Sequence, residues 1–155
     1  MVSDPRLSWS EYFILMSQLI ATRSTCPRRA VGAVLVREHR VIATGYNGSP
    51  AGQPHCTEVG CLLEHGHCVR TIHAELNALL QCAKYGIAAG GVDLYCTDLP
   101  CRNCARALVQ SGIRSIYFVR HYDSPETVQL AKEYGIRLIQ LSMPKLPPMP
   151  FADPH

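Results

Sequence analysis

Two short clusters, His73-Ala74-Glu75 and Pro100-Cys101-Arg102-Asn103-Cys104, constrain this chain more than any other feature of its sequence. Each falls where the pattern predicts the start of a helix. Cys101 and Cys104 are three apart, so both sulfurs share one helical face. In a first turn, unpaired backbone N–H groups and the helix dipole favour thiolate over thiol. Pro100 is expected to open that turn, where no donor is needed. His73 adds a third ligand from the neighbouring helix. The fold must therefore lay two helix starts side by side.

Three protein ligands leave the fourth position of a zinc ion to water, which is the arrangement of a catalytic site. Zinc lowers the pKa of such a water towards roughly 7. Glu75, two residues from His73, can stand beside that water without binding the metal. We assign it the proton shuttle. The competing reading makes His73, Cys101 and Cys104 part of a structural zinc site. That reading wants a fourth close ligand and leaves Glu75 without a task.

The remaining pattern supplies the frame. Residues 8 to about 22 place Trp9, Tyr12, Phe13, Met16, Leu19 and Ile20 on one helical face, with Ser8 or Ser10 as cap. Residues 30–37 and 40–46 read as antiparallel strands joined at Glu38-His39. Residues 47 to about 71 form a long irregular stretch that needs a function or a fastener. Helices follow at about 72–84, 102–111 and 124–134, alternating with strands at 91–97, 113–120 and 136–141. This order predicts an α/β fold, a three-layer α/β/α sandwich around a mixed sheet of about five strands. One domain covers residues 1–143. Residues 144–155 hold five prolines and form an extended C-terminal tail.

Composition narrows the function classes. The formal net charge of +3 suits a small anionic substrate, and no dense Lys/Arg cluster marks a nucleic-acid surface. No apolar run reaches the length of a membrane span, and residues 1–9 lack the basic start and apolar stretch of a signal peptide. The expected compartment is cytoplasmic. Eight cysteines in a reducing compartment favour metal ligation over disulfides, and seven histidines strengthen that reading.

The pairing of H-x-E with P-C-x-x-C is the signature of zinc nucleobase deaminases. It identifies only the superfamily, which also holds tRNA adenosine, guanine, riboflavin-pathway and cytidine deaminases. Further segments are more specific: residues 31–34 (VGAV), 44–52 (TGYNGSPAG), 66–78 (GHCVRTIHAELNA) and 111–113 (SGI). On these the chain resembles the deoxycytidylate deaminases, especially the bacterial and phage branch that includes the late-competence deaminase. The resemblance runs from about residue 8 to 141.

It implies a cytidine-deaminase-like sandwich and hydrolysis of dCMP to dUMP with release of ammonia. It also implies a homo-oligomer, commonly a hexamer, with dCTP and dTTP as effectors. By the same resemblance Asn47 hydrogen-bonds the sugar, and Ala74 and Tyr122 lie at the substrate. Arg28 suits the phosphate, because its fork can donate two hydrogen bonds. Gly45 and Gly48 would let the backbone approach a ligand and, with Ser49, form an effector loop. Read from the residues alone, Asn47-Gly48 is a turn after a strand, Arg28 a solvated arginine and Tyr122 a half-buried packing residue. A deaminase of another cytosine nucleotide, of a nucleoside or of tRNA adenosine is the nearest rival. A silent zinc-stabilised interaction module is a rival of another class.

Cys26 and Cys56 match positions that hold a second, structural zinc in phage relatives, with further ligands to come from Cys61, His67 and Cys68. Such an ion would pin the irregular stretch to the end of the first helix. The plainer reading is a set of buried free thiols. Cys82 and Cys96 read as core packing.

Overall fold

The computed structural model describes residues 4–149. In chain order its elements are α1 (Trp9–Ala21), β1 (Gly32–Arg37), β2 (Arg40–Tyr46), α2 (Cys56–Val59), β3 (Leu63–Glu64), β4 (His67–Cys68), α3 (Ala74–Tyr85), β5 (Asp93–Asp98), α4 (Arg102–Gln110), β6 (Ser115–Arg120), α5 (Pro125–Glu133) and β7 (Arg137–Gln140). Five strands form one sheet in the order β2-β1-β5-β6-β7. β1 pairs antiparallel with β2 and β5, while β5, β6 and β7 run parallel. The sheet is therefore mixed, as the alternation of elements predicts.

Period-two alternation sorts the side chains between two layers. Val34, Val36 and Tyr95 point to one face and meet Phe13 and Ile14 of α1. Ala33, Leu35, Leu94, Cys96, Ile116 and Phe118 point to the other, against Ala74, Ala78 and Cys82 of α3, Leu108 of α4 and Ala131 of α5. Strands buried on both faces read as near-continuous apolar runs, which is how GAVLVR looks in the sequence. Local chemistry fixes the ends. Ser8 accepts from the Glu11 N–H at 3.3 Å, and Glu11 accepts from the Ser8 N–H at 2.8 Å, a reciprocal cap on α1. Glu38 and His39 carry φ of 48° and 60°, the turn a two-residue hairpin requires.

Three details differ from the sequence reading. Residues 47–71 are not wholly irregular: they contain α2 and the small β3–β4 hairpin. Pro100 does not occupy the first helical position of α4. Cys101 is the N-cap, with extended φ and ψ of −69° and 167°, and Pro100 precedes it. Thr127 of α5 donates to the Pro100 carbonyl at 2.9 Å and holds the chain extended there. Third, Gly45 makes a close approach to helix α3. A Cβ at Gly45 would stand 2.1 Å from the Ala74 carbonyl oxygen and 2.6 Å from the Ala78 nitrogen.

That contact lets α3 lie against β2, so Gly45→Ala must push away the helix that carries His73 and Glu75. We expect it to cost about 1–3 kcal/mol or more, read as a lower denaturation midpoint together with reduced activity. An unchanged midpoint would contradict the packing. The expected tail shows no regular element over residues 144–149, and Pro150 and Pro154 lie outside the described residues. Among the described residues no helix is long and apolar enough to cross a membrane.

Candidate active site

α3 and α4 pack on the same face of the sheet and begin side by side. His73 is the N-cap of α3, and Cys101 is the N-cap of α4. His73 Nδ1 lies 3.5 Å from Cys101 Sγ and 3.4 Å from Cys104 Sγ. All three donor atoms lie within 4.8 Å of one another. A tetrahedral zinc with ordinary Zn–N and Zn–S bonds has N···S edges of about 3.5 Å, so the spacing fits that ion. Two sulfurs and one imidazole also form the donor set zinc prefers.

The electrostatics suit metal binding. Cys101 is held well below the usual thiol range, first by the Cys104 thiol donating to it and then by His73. His73 is raised, chiefly by its contact with Cys101. Glu75 sits two residues inside the cap and is only 4% exposed. Its Oε1 accepts from the Cys96 thiol at 3.4 Å. Cys96 is thus core packing on the sheet side and a neighbour of the shuttle carboxylate as well.

Burial raises the Glu75 carboxyl above its ordinary 4.5. Folding then favours the protonated form. The stabilising contribution is full below 4.5 and disappears as pH rises through the raised value. In chelator-treated protein, Glu75→Gln is therefore expected to melt higher than wild type at pH 7. The gap should close as the pH falls towards about 4.5. A gap of the same size at both pH values would show that burial does not set this carboxyl.

The cluster opens into a cleft of about 430 Å³, within the range of small-ligand sites. Arg28, Asn47, Ala74 and Tyr122 line it, as do Arg29 and Asp98, which sequence reasoning missed. Asn47 Oδ1 accepts from the Val31 N–H at 2.9 Å, and Nδ2 donates to the Arg29 carbonyl at 2.7 Å. An amide has two N–H donors, so one remains for a ligand. Arg28 reaches the Gly66 carbonyl at 3.3 and 3.4 Å and ties the β3–β4 hairpin to the cleft wall. Gly45, Gly48 and Ser49 are not among the lining residues. Gly48 instead pairs with Ile72, its N–H donating at 3.2 Å and its carbonyl accepting at 2.8 Å, which anchors the chain just ahead of His73.

A second group gathers Cys56, Cys61 and Cys68, again with donor atoms within 4.8 Å of one another. The Cys56 and Cys68 sulfurs are 3.6 Å apart. Burial, then the neighbouring Cys68, pushes Cys56 up to about 12. Cys68 is held down to about 7: burial opposes this, but the Arg70 N–H and the Cys56 thiol outweigh it. Cys26 lines the cleft beside Cys68. Neither Cys26 nor His67 joins the trio at that distance.

The model of the cytidine and deoxycytidylate deaminase zinc-binding region matches residues 7–120. ComE operon protein 2 of Bacillus subtilis is 45% identical over 142 residues, covering 91% of this chain and 75% of that one. The deoxycytidylate deaminase of Schizosaccharomyces pombe is 39% identical over 150 residues, and the match spans only 46% of its length. The crystal structure of dCMP deaminase from the cyanophage S-TIM5, in complex with dCMP and dUMP, superposes with a TM-score of 0.76 at 30% identity. It covers 84% of this chain and 95% of that one.

Proposed function

The chain belongs to the cytidine and deoxycytidylate deaminase family, and on that premise we propose that it hydrolyses dCMP to dUMP and ammonia. The observation that carries this reading is the buried Glu75 beside His73, Cys101 and Cys104 in a cleft whose wall bears Arg28 and Arg29. A silent module has no use for a buried carboxylate there, which burial penalises.

His73, Cys101 and Cys104 would hold a zinc ion. When bound, zinc supplies an acidified water at neutral pH. Glu75 would take a proton from the attacking water and hand it to the ring nitrogen next to C4. It then helps the amino group leave as ammonia, so that the C4–N bond breaks and a C4–O bond remains. Asn47 offers its second amide proton to the sugar, while Ala74 and Tyr122 wall the base and sugar. Arg28 faces the phosphate from the hairpin side.

Cys56, Cys61 and Cys68 hold a second, structural zinc, with Cys26 and His67 as candidates for its fourth ligand. The working unit is residues 1–143, with 144–155 as an appended tail. It acts in the cytoplasm in deoxynucleotide supply, as a homo-oligomer of hexameric type that responds to dCTP and dTTP. The segment of Gly45, Gly48 and Ser49 is the loop through which effectors act.

Purified protein tested against dCMP, deoxycytidine, CMP and dCTP, with and without dCTP as effector, decides the substrate. dCMP is expected to exceed deoxycytidine in kcat/KM by about tenfold or more, the worth of charge-assisted hydrogen bonds to a phosphate. Arg28→Ala should shrink that ratio. Equal values in wild-type protein with dCTP present would move the assignment to a nucleoside deaminase.

A further inference from the structure

The cleft contains a charged group that proton transfer does not use. Asp98 ends β5 and is only 3% exposed. Its Oδ1 accepts from Arg120 Nε at 3.0 Å and Nη2 at 2.7 Å. Its Oδ2 is in ionic contact with the Arg29 guanidinium but accepts no aligned hydrogen bond. The Arg29 guanidinium carbon lies 5.4 Å from the centre of the Tyr122 ring. The Arg29 carbonyl accepts from Asn47 at 2.7 Å.

Arg29 is thus held from three sides: its main chain by Asn47, its guanidinium by Asp98, and one face by Tyr122. Its side chain is still 41% exposed, and Arg29, Asp98 and Tyr122 line the same cleft as His73 and Glu75. A guanidinium has five N–H donors in a rigid fork. Contact with Asp98 leaves donors free for a second anion. A lone buried carboxylate would repel a nucleotide, but Arg29 and Arg120 outweigh it and turn the local charge positive. Ordering a long side chain costs entropy at binding, and here that ordering is complete before any ligand arrives.

We propose that Asp98 is a positioning residue that holds Arg29 across Tyr122 as a second guanidinium, beside Arg28, that reads the 5′-phosphate, so that part of the selection of nucleotide over nucleoside runs through the Arg29–Asp98 pair. This rests on the dCMP reading above. Arg28 is tied to the Gly66 carbonyl of the β3–β4 hairpin, whereas Arg29 is paired with Asp98 at the end of β5, the strand that leads into Cys101.

The test uses the zinc-loaded full chain as wild type, Arg29→Ala, Arg29→Lys, Asp98→Asn and the Arg29→Ala/Asp98→Asn double variant. Two readouts are taken: the ratio of kcat/KM for dCMP over deoxycytidine, and the ratio of equilibrium affinities for dUMP over deoxyuridine. Arg29→Ala is expected to lower both ratios by about tenfold to a hundredfold. Asp98→Asn should lower them in the same direction by less, and the double variant should be no lower than Arg29→Ala. Arg29→Lys keeps the charge without the fork and guards against a truncated variant that fails to fold; its ratios should fall between. A merely structural role for Asp98 would depress both substrates equally and leave the ratios unmoved, which overturns the proposal. If wild type prefers dCMP and both Arg29 variants keep that preference, the inference falls and the dCMP reading stands. If wild type shows no preference, the dCMP reading falls and takes the inference with it.

Discussion

Glu75→Ala is expected to lose nearly all turnover while keeping its zinc and its fold. The carboxylate lies off the ligand trio, so its removal leaves His73, Cys101 and Cys104 in place. Burial raises its proton affinity, which suits a group that must both take and return a proton. Loss of a general acid–base group costs at least about a hundredfold in rate. Truncating a buried side chain also opens a small cavity beside Cys96 and Cys104, a cost to stability far smaller than the cost to rate. Metal analysis, a melting curve and kcat on the same preparation separate the effects. Most of the activity retained with zinc in place would remove Glu75 from the shuttle role.

Cys101→Ala carries the second large effect. Cys101 is the thiol held lowest in the trio and caps α4. Without it, two ligands remain, and affinity for a catalytic zinc falls steeply. We expect activity below detection and a fall from two zinc ions per chain to one, the survivor sitting at Cys56, Cys61 and Cys68. One equivalent in carefully prepared wild-type protein would reject the second site. Loss of both ions from the single variant would instead mean that the two sites are coupled or that the variant unfolds.

Much of this was legible in the sequence because periodicity carries it. The apolar run through Ala33, Val34, Leu35 and Val36 marks a strand buried on both faces, and the order of helical and strand segments gives the sandwich. The pairing of H-x-E with P-C-x-x-C brought His73, Cys101 and Cys104 together in expectation, and spacing put the two sulfurs on one helical face. What escaped had no local signal. β3 and β4 are two residues each, too short for any alternation to show. The helix start at residue 102 was expected, but the cap there is Cys101, and Pro100 stands before it and not in the first turn. The pair of Arg29 with Asp98 joins a loop to the end of a distant strand, which no window reveals. Gly45 is instructive in another way. Its motif suggests a ligand loop, yet the small residues Ala74 and Ala78, four apart on α3, already marked a helix face fit for close approach.

The source of the oxygen in the product tests the central claim most directly. Wild-type enzyme, incubated with dCMP in 18O-labelled water, is expected to give dUMP carrying one 18O at C4 and one equivalent of ammonia, and Glu75→Ala prepared with its zinc should give almost none. dUMP without the label, ammonia out of proportion to dUMP, or no turnover of dCMP by the zinc-loaded wild type would contradict hydrolytic deamination at this site.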